Sequence, residues 1–297
     1  MELAGADHRL VLLTADLGYG VLDEFAAEYP NRFFNVGVAE ANMVGLATGL
    51  AEAGYIPFLY SIATFASLRP YEQWRNGPVV HQLPVRLVGI GGGYEYGANG
   101  ITHSALEDLG AMRLMTGTQI VVPADERQVC SALRATFDAP HPVYYRISKC
   151  EGFRVPELSG QFDPQGVEII RRGENALVIA MGTITAEALL AADLLAAKGI
   201  EVDVAVLSSL APAPRDALRA LLQRHSLVAT VETHLDIGAL GSLVAEVIAE
   251  GGVSCRQLRC GIGSAGGGIS GSEAFMNARS GLDAHSLAER IGEGLAS

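Results

Sequence analysis

Apolar positions follow two alternating rhythms along this chain. Short continuous runs such as RLVLLT, YIPFLYSI, VRLVGI, QIVVPA and PVYYRIS, and later ALVIAMG, VDVAVLSS, SLVATVET and CRQLRCG, read as buried strands. Between them lie stretches with apolar residues at helical spacing. The pattern predicts helices over residues 21–29, from Ser104 to about Thr116, and over 125–137, 183–198, 214–225 and 237–250, with a last helix from Asp283 onward. A further helical segment is expected through TFASLRPYEQWRN. Strands alternating with helices imply largely parallel sheets covered on both faces. The alternation is interrupted once, around Pro156 and Pro164, where several glycines and no periodicity mark a linker. The predicted fold class is therefore α/β, with two parallel-sheet domains over residues 1–152 and 167–297 joined by a linker at 153–166.

In parallel sheets of this kind ligands bind at the carboxyl ends of the strands. Asp16, Glu40, the turn at 60–65, the loop at 91–103 and Lys149 all fall there. The stretch NRFFNVGVAEANMVGLATGLAEAG, residues 31–54, is the most informative. It reads as a short strand, a Gly37 turn, and an almost wholly apolar helix that begins at Glu40. Gly45 and Gly49 leave a flat strip on that helix. An acid at the start of a helix ordinarily complements the helix dipole. Here its surroundings are apolar, and burying a charge is costly.

Composition narrows the function. The chain has 297 residues, 49% of them hydrophobic and 18% charged, enough for two domains and a large core. A formal net charge of −12 argues against a nucleic-acid partner, which needs a basic face. No apolar run is long enough to span a bilayer, and the N-terminus has no signal-peptide pattern, so a cytoplasmic location is expected. Cys130, Cys150, Cys255 and Cys260 form no C-x-x-C pair and the histidines no metal-type cluster, so no metal site is expected on this chain. The Gly-rich run at 261–272 reads as a loop, and a weak phosphate cradle.

Several spaced motifs together resemble the transketolase family of thiamine-diphosphate enzymes. They are Arg32-Phe33 followed by Gly37-Val38-Ala39-Glu40, the loop Gly97-Ala98-Asn99-Gly100-Ile101-Thr102-His103 with A-L-E-D-L-G-A-M-R after it, Y-E-Q-x-R at 71–75, and V-V-P-A-D at 121–125. The resemblance spans the chain and implies a pyrimidine-binding domain followed by a transketolase C-terminal domain. It implies that Glu40, a carboxyl desolvated by its apolar helix, hydrogen-bonds the aminopyrimidine ring and switches the coenzyme on. Phe65, with Ile62, Leu68 and Arg69, is expected to wall the ring; packing and surface roles compete for these residues. Asp16 would help shape the site or cap its own turn. His103 would face the substrate, with Asn99 and Lys149 as further substrate contacts.

The family's diphosphate half, with its G-D-G…N motif and Mg²⁺, has no counterpart in this sequence. The resemblance thus implies a separate partner subunit carrying that domain and the Mg²⁺, in an α2β2 assembly with thiamine diphosphate shared between the two chains. The expected reaction transfers a two-carbon ketol unit from a ketose-type donor to an aldehyde-type acceptor. The alternatives are the β subunit of a 2-oxoacid dehydrogenase, a carboligase similar to deoxyxylulose-phosphate synthase, and a silent scaffold. Where the family grips a sugar phosphate with Ser, His and Arg, this chain has Gly20, Gly91 and Lys149. That exchange removes most of the anion grip.

Overall fold

The computed structural model describes residues 1–264 and 268–296. The first half runs α1 (Glu2–Ala6), β1 (Leu10–Thr14), α2 (Asp23–Glu28), β2 (Phe33–Asn35), α3 (Glu40–Glu52), β3 (Ile56–Ile62), α4 (Ala63–Leu68), α5 (Tyr71–Trp74), β4 (Arg86–Ile90), α6 (Asp108–Arg113), β5 (Gln119–Val121), α7 (Glu126–Thr136) and β6 (Val143–Ile147). The second runs β7 (Glu168–Arg171), β8 (Ala176–Met181), α8 (Thr185–Ala196), β9 (Val202–Val206), β10 (Ser209–Ala211), α9 (Arg215–Leu222), β11 (Leu227–Leu235), α10 (Leu240–Gly251), β12 (Arg256–Ile262), α11 (Glu273–Arg279) and α12 (Ala284–Ala296).

The strands form two sheets, ordered β10-β5-β6-β4-β3-β1-β2 and β12-β11-β8-β9-β7. Pairing is parallel except at one edge of each, where β10 runs against β5 and β7 against β9. The central strands β4, β8 and β9 are buried along their whole length, which is why their sequences are continuous apolar runs rather than alternating ones. The expected α/β architecture is the one observed.

Three local expectations change. The helix predicted from Ser104 starts only at Asp108: Ser104 is extended, and Ala105 exchanges backbone hydrogen bonds with Gly93 at 2.9 and 3.0 Å, which takes both residues out of the helix. The segment after β3 is not one helix. It breaks at Pro70 and continues through α5 into a π-helical turn, Arg75–Val79, that contains Pro78. The edge strands β7 and β10 and helix α11 answer to no periodic signal. Of the Gly-rich run, Gly261 and Ile262 close β12, whereas residues 265–267 lie outside the described residues.

The halves are pinned together at the strand ends. β10, from the second half of the chain, completes the first sheet, and the Val122 amide donates to the Ser208 carbonyl at 2.8 Å. The buried Arg146 Nη2 donates to the carbonyls of Ala105 at 2.9 Å and Thr233 at 2.7 Å, bridging both halves. His234 Nε2 accepts the Gly110 amide at 3.1 Å, and burial pushes its imidazole down, which keeps that nitrogen free to accept.

Candidate active site

The turn into α3 is built backwards from a single amide. Asn35 Oδ1 accepts the backbone N–H of Gly37 at 3.0 Å and of Asp16 at 3.1 Å, while its Nδ2 donates to Asp16 Oδ1 at 3.0 Å. Gly37, at φ +73°, takes a left-handed conformation, and the Ala39 amide returns to the Gly37 carbonyl at 2.7 Å. Asp16 thus braces the turn from β1, and it also accepts the Tyr19 hydroxyl. Among the described residues its carboxylate caps no backbone amide of its own turn; its partners are the Tyr19 hydroxyl and the Asn35 side-chain amide.

Glu40, the first residue of α3, is only 3% exposed. Its Oε1 accepts the Ser61 hydroxyl at 3.2 Å. Arg69 Nη1 bridges both carboxylate oxygens, at 2.8 and 2.9 Å. An acid that merely complemented a helix dipole would face water; this one is buried, held and paired. The expectation of a desolvated acid is met in its burial, but the acid is not left unpaired.

Phe65 joins the remaining members. The Arg69 guanidinium carbon lies 3.7 Å from the centre of its ring, and the His103 ring meets it edge-on at a centroid separation of 5.1 Å. His103 Nδ1 is 3.0 Å from the Thr102 hydroxyl. Residues from α3, β3, α4 and the loop before α6 therefore converge on one spot. Ile62 is buried at the end of β3, whereas Leu68 is exposed on α4. Asn99 is exposed in the loop before His103.

Ser61 was not anticipated. A hydroxyl in an otherwise apolar strand end, on the opposite face from Tyr60, is the signal that could have found it.

Lys149 belongs to a second feature, a cavity of about 570 Å³ lined by Tyr60, Ile90, Tyr96, Ser148 and Lys149 among others. Lys149 Nζ sits 4.6 Å from the centre of the Tyr96 ring. Tyr96 lies over Gly91 so closely that a Cβ at position 91 would come within 2.2 Å of its ring, so the tyrosine fills the space a side chain at 91 would take. Burial, reinforced by Tyr96, pushes the Tyr60 hydroxyl up to about 12. Beneath the loop, the buried Glu95 carboxylate accepts the Lys149 amide at 2.7 Å and the Ser148 hydroxyl at 3.1 Å. Burial raises Glu95 to about 7. Among the described residues, no group of three or more His, Cys, Asp or Glu side chains is placed to hold a metal ion. No helix among them is long and apolar enough to cross a membrane.

What the Glu40 spot offers is a carboxylate beside an aromatic face. A flat group carrying an N–H fits it, since the planar Arg69 guanidinium makes both contacts at once. Fold and site define an α/β protein with a buried acid and an aromatic face joined by one guanidinium at the strand ends. Residues 1–152 match the transketolase pyrimidine-binding domain and residues 165–286 the transketolase C-terminal domain. The chain is 36% identical, over 99% of its length and 92% of the relative's, to a putative transketolase C-terminal section from Methanocaldococcus jannaschii. It is 34% identical to one of the subunits of an apulose-4-phosphate transketolase from Actinobacillus succinogenes, over 89% of this chain and 85% of the relative. A solved structure described as a split-gene transketolase, inactive beta4 tetramer, superposes with a TM-score of 0.87 at 32% identity, covering 99% of this chain and 94% of that one. The chain belongs to the transketolase family, as a split-enzyme subunit with the pyrimidine-binding and C-terminal domains.

Proposed function

We propose that this chain works with a separate subunit bearing the diphosphate domain, as one half of a thiamine-diphosphate-dependent transketolase. The pair moves a two-carbon ketol unit from a ketose-type donor to an aldehyde-type acceptor. The partner holds the diphosphate through Mg²⁺, the assembly is α2β2, and it works in the cytoplasm. The domains divide at 1–152 and 167–297. When bound, thiamine diphosphate supplies the nucleophilic carbon and electron sink that ketol transfer needs.

This chain's part is to bind and activate the coenzyme's pyrimidine end. Glu40 hydrogen-bonds the ring nitrogen and shares a proton with it, and Ser61 keeps the carboxyl oriented. Phe65 offers its face to the ring, with Ile62 and Leu68 around it and the half-exposed Arg69 at its rim, and Asp16 keeps the Glu40 turn in register. His103, poised on the edge of Phe65, hydrogen-bonds an oxygen of the substrate. Asn99 and Lys149 contact the substrate further out. The observation that carries the reading is the buried Glu40 carboxylate joined through the Arg69 guanidinium to the Phe65 ring, which His103 meets edge-on.

Glu40→Gln and Glu40→Ala, assembled with the partner subunit, are expected to lose at least about 100-fold in turnover, within the range for one general acid–base group. Circular dichroism and the unfolding midpoint should stay near wild type. Near-normal turnover in either variant would remove Glu40 from the chemistry.

A further inference from the structure

The two surfaces the coenzyme ring would use are already engaged. Arg69 Nη1 spans both oxygens of Glu40, and its guanidinium carbon stands over the Phe65 ring, 3.7 Å from the ring centre. One planar group cannot stack on that face and bridge that carboxylate while a second does the same. The pair is also asymmetric: the Arg69 side chain is 42% exposed, its Glu40 partner 3%. The cation stands beside water and can swing into it by side-chain rotation, whereas the acid is fixed in the first turn of α3. Arg69 lies just past the last residue of α4, with Pro70 next, so this swing leaves the helix hydrogen bonds untouched.

We infer that Arg69 is a built-in placeholder for the coenzyme's pyrimidine ring. It pairs Glu40 and covers Phe65 until the coenzyme displaces it. This rests on the reading of Glu40 and Phe65 given above. The device answers a physical need. A carboxylate this deeply buried is destabilising without a partner, and a subunit made separately from the rest of its site must fold before any coenzyme arrives. The consequence is that coenzyme binding competes with an internal ligand.

The test uses the assembled two-subunit enzyme with saturating Mg²⁺, titrated with thiamine diphosphate, with affinity read by isothermal titration calorimetry. Arg69→Met keeps the length and apolar stem but removes the charge and the flat stack. It is expected to tighten coenzyme binding about 5- to 30-fold, the scale of a half-exposed ion pair plus a cation–π contact. Arg69→Lys, which keeps a charge, should fall between the two. The coenzyme-free Arg69→Met chain should unfold at a lower temperature than wild type and gain more from added coenzyme. Unchanged or weaker affinity in Arg69→Met, with wild-type binding intact, would overturn the placeholder and leave the role of Glu40 standing. Absence of coenzyme binding by the assembled wild type would overturn both. Should Arg69→Met fail to fold, Arg69→Gln, which keeps an amide donor for Glu40, carries the same expectation of tighter binding.

Discussion

Two buried acids outside the Glu40 cluster, Glu95 and Glu232, are pushed well above the usual carboxylate range. Burial pushes Glu95 up to about 7, and Glu273 adds to the shift; hydrogen bonds from Lys149 and Ser148 and the charge of Arg146 oppose it. Glu232 is raised to about 7 by the same cause, although it accepts the Leu240 and Gly241 amides at the start of α10. A carboxyl whose folded value exceeds its unfolded one favours the native state most when protonated. Its contribution is complete below about 4.5 and is lost as pH climbs through about 7. Glu95→Gln should therefore be more stable than wild type at pH 8, by roughly 1–3 kcal/mol, with the gap closing toward pH 5. Unfolding midpoints of both proteins across that interval check the sign; a gap that widened toward low pH would reverse it. At this scale Glu40 was legible because its helix is almost wholly apolar and because it closes the spaced motif that begins at Arg32-Phe33. Its pairing with Arg69 was not, since a residue 29 positions away joins it only through the fold.

Among the elements, the loop between β4 and α6 carries the most information. Gly91 sits at φ +75° with the Tyr96 ring directly over it. Gly91→Ala adds both a left-handed penalty and a collision. It is expected to cost about 1–3 kcal/mol, to displace Tyr96 from Lys149, and to alter the cavity beside them. Denaturant titration measures the cost; a variant as stable as wild type would mean that Tyr96 moves freely. The same loop explains a misread helix. Residues 104–107 have helical composition, yet Ala105 is drawn into a bridge with Gly93, and tertiary pairing overrides local propensity. Strands β7 and β10 went unread for a related reason. An edge strand of three or four residues, such as Ser209–Ala211, has no room for a period, and only its neighbour defines it as a strand.

For the whole molecule, Arg146 is the decisive clamp. It is buried, donates to carbonyls on both halves, and lies 3.5 Å from the buried Asp108, which also accepts the Tyr144 hydroxyl at 2.8 Å. Arg146→Met would leave two carbonyls and a carboxylate without their cation. A loss of about 3–5 kcal/mol is expected, with the two halves ceasing to unfold as one unit. Calorimetry checks this; a single transition at the wild-type temperature would show that the other contacts between the halves suffice. The loop that carries His103 also meets the second half: Gly93 lies against Thr233, the Leu235 amide donates to the Leu106 carbonyl at 3.0 Å, and the Gly271 amide to the Gly97 carbonyl at 3.2 Å, so the C-terminal domain is part of the frame around the candidate site.

The sequence alone determined the α/β class, the order of most strands and helices, the position of Glu40 at a helix start, and the family. Each of these is written in local periodicity or in spaced motifs, which need no knowledge of distant contacts. Only the tertiary structure decided that β10 completes the other domain's sheet, that Ser61 and Arg69 hold Glu40, and that Tyr96 stands over Gly91. Those facts depend on residues far apart in the chain meeting at the ends of parallel strands, and hydrophobic periodicity carries no record of which strand lies beside which.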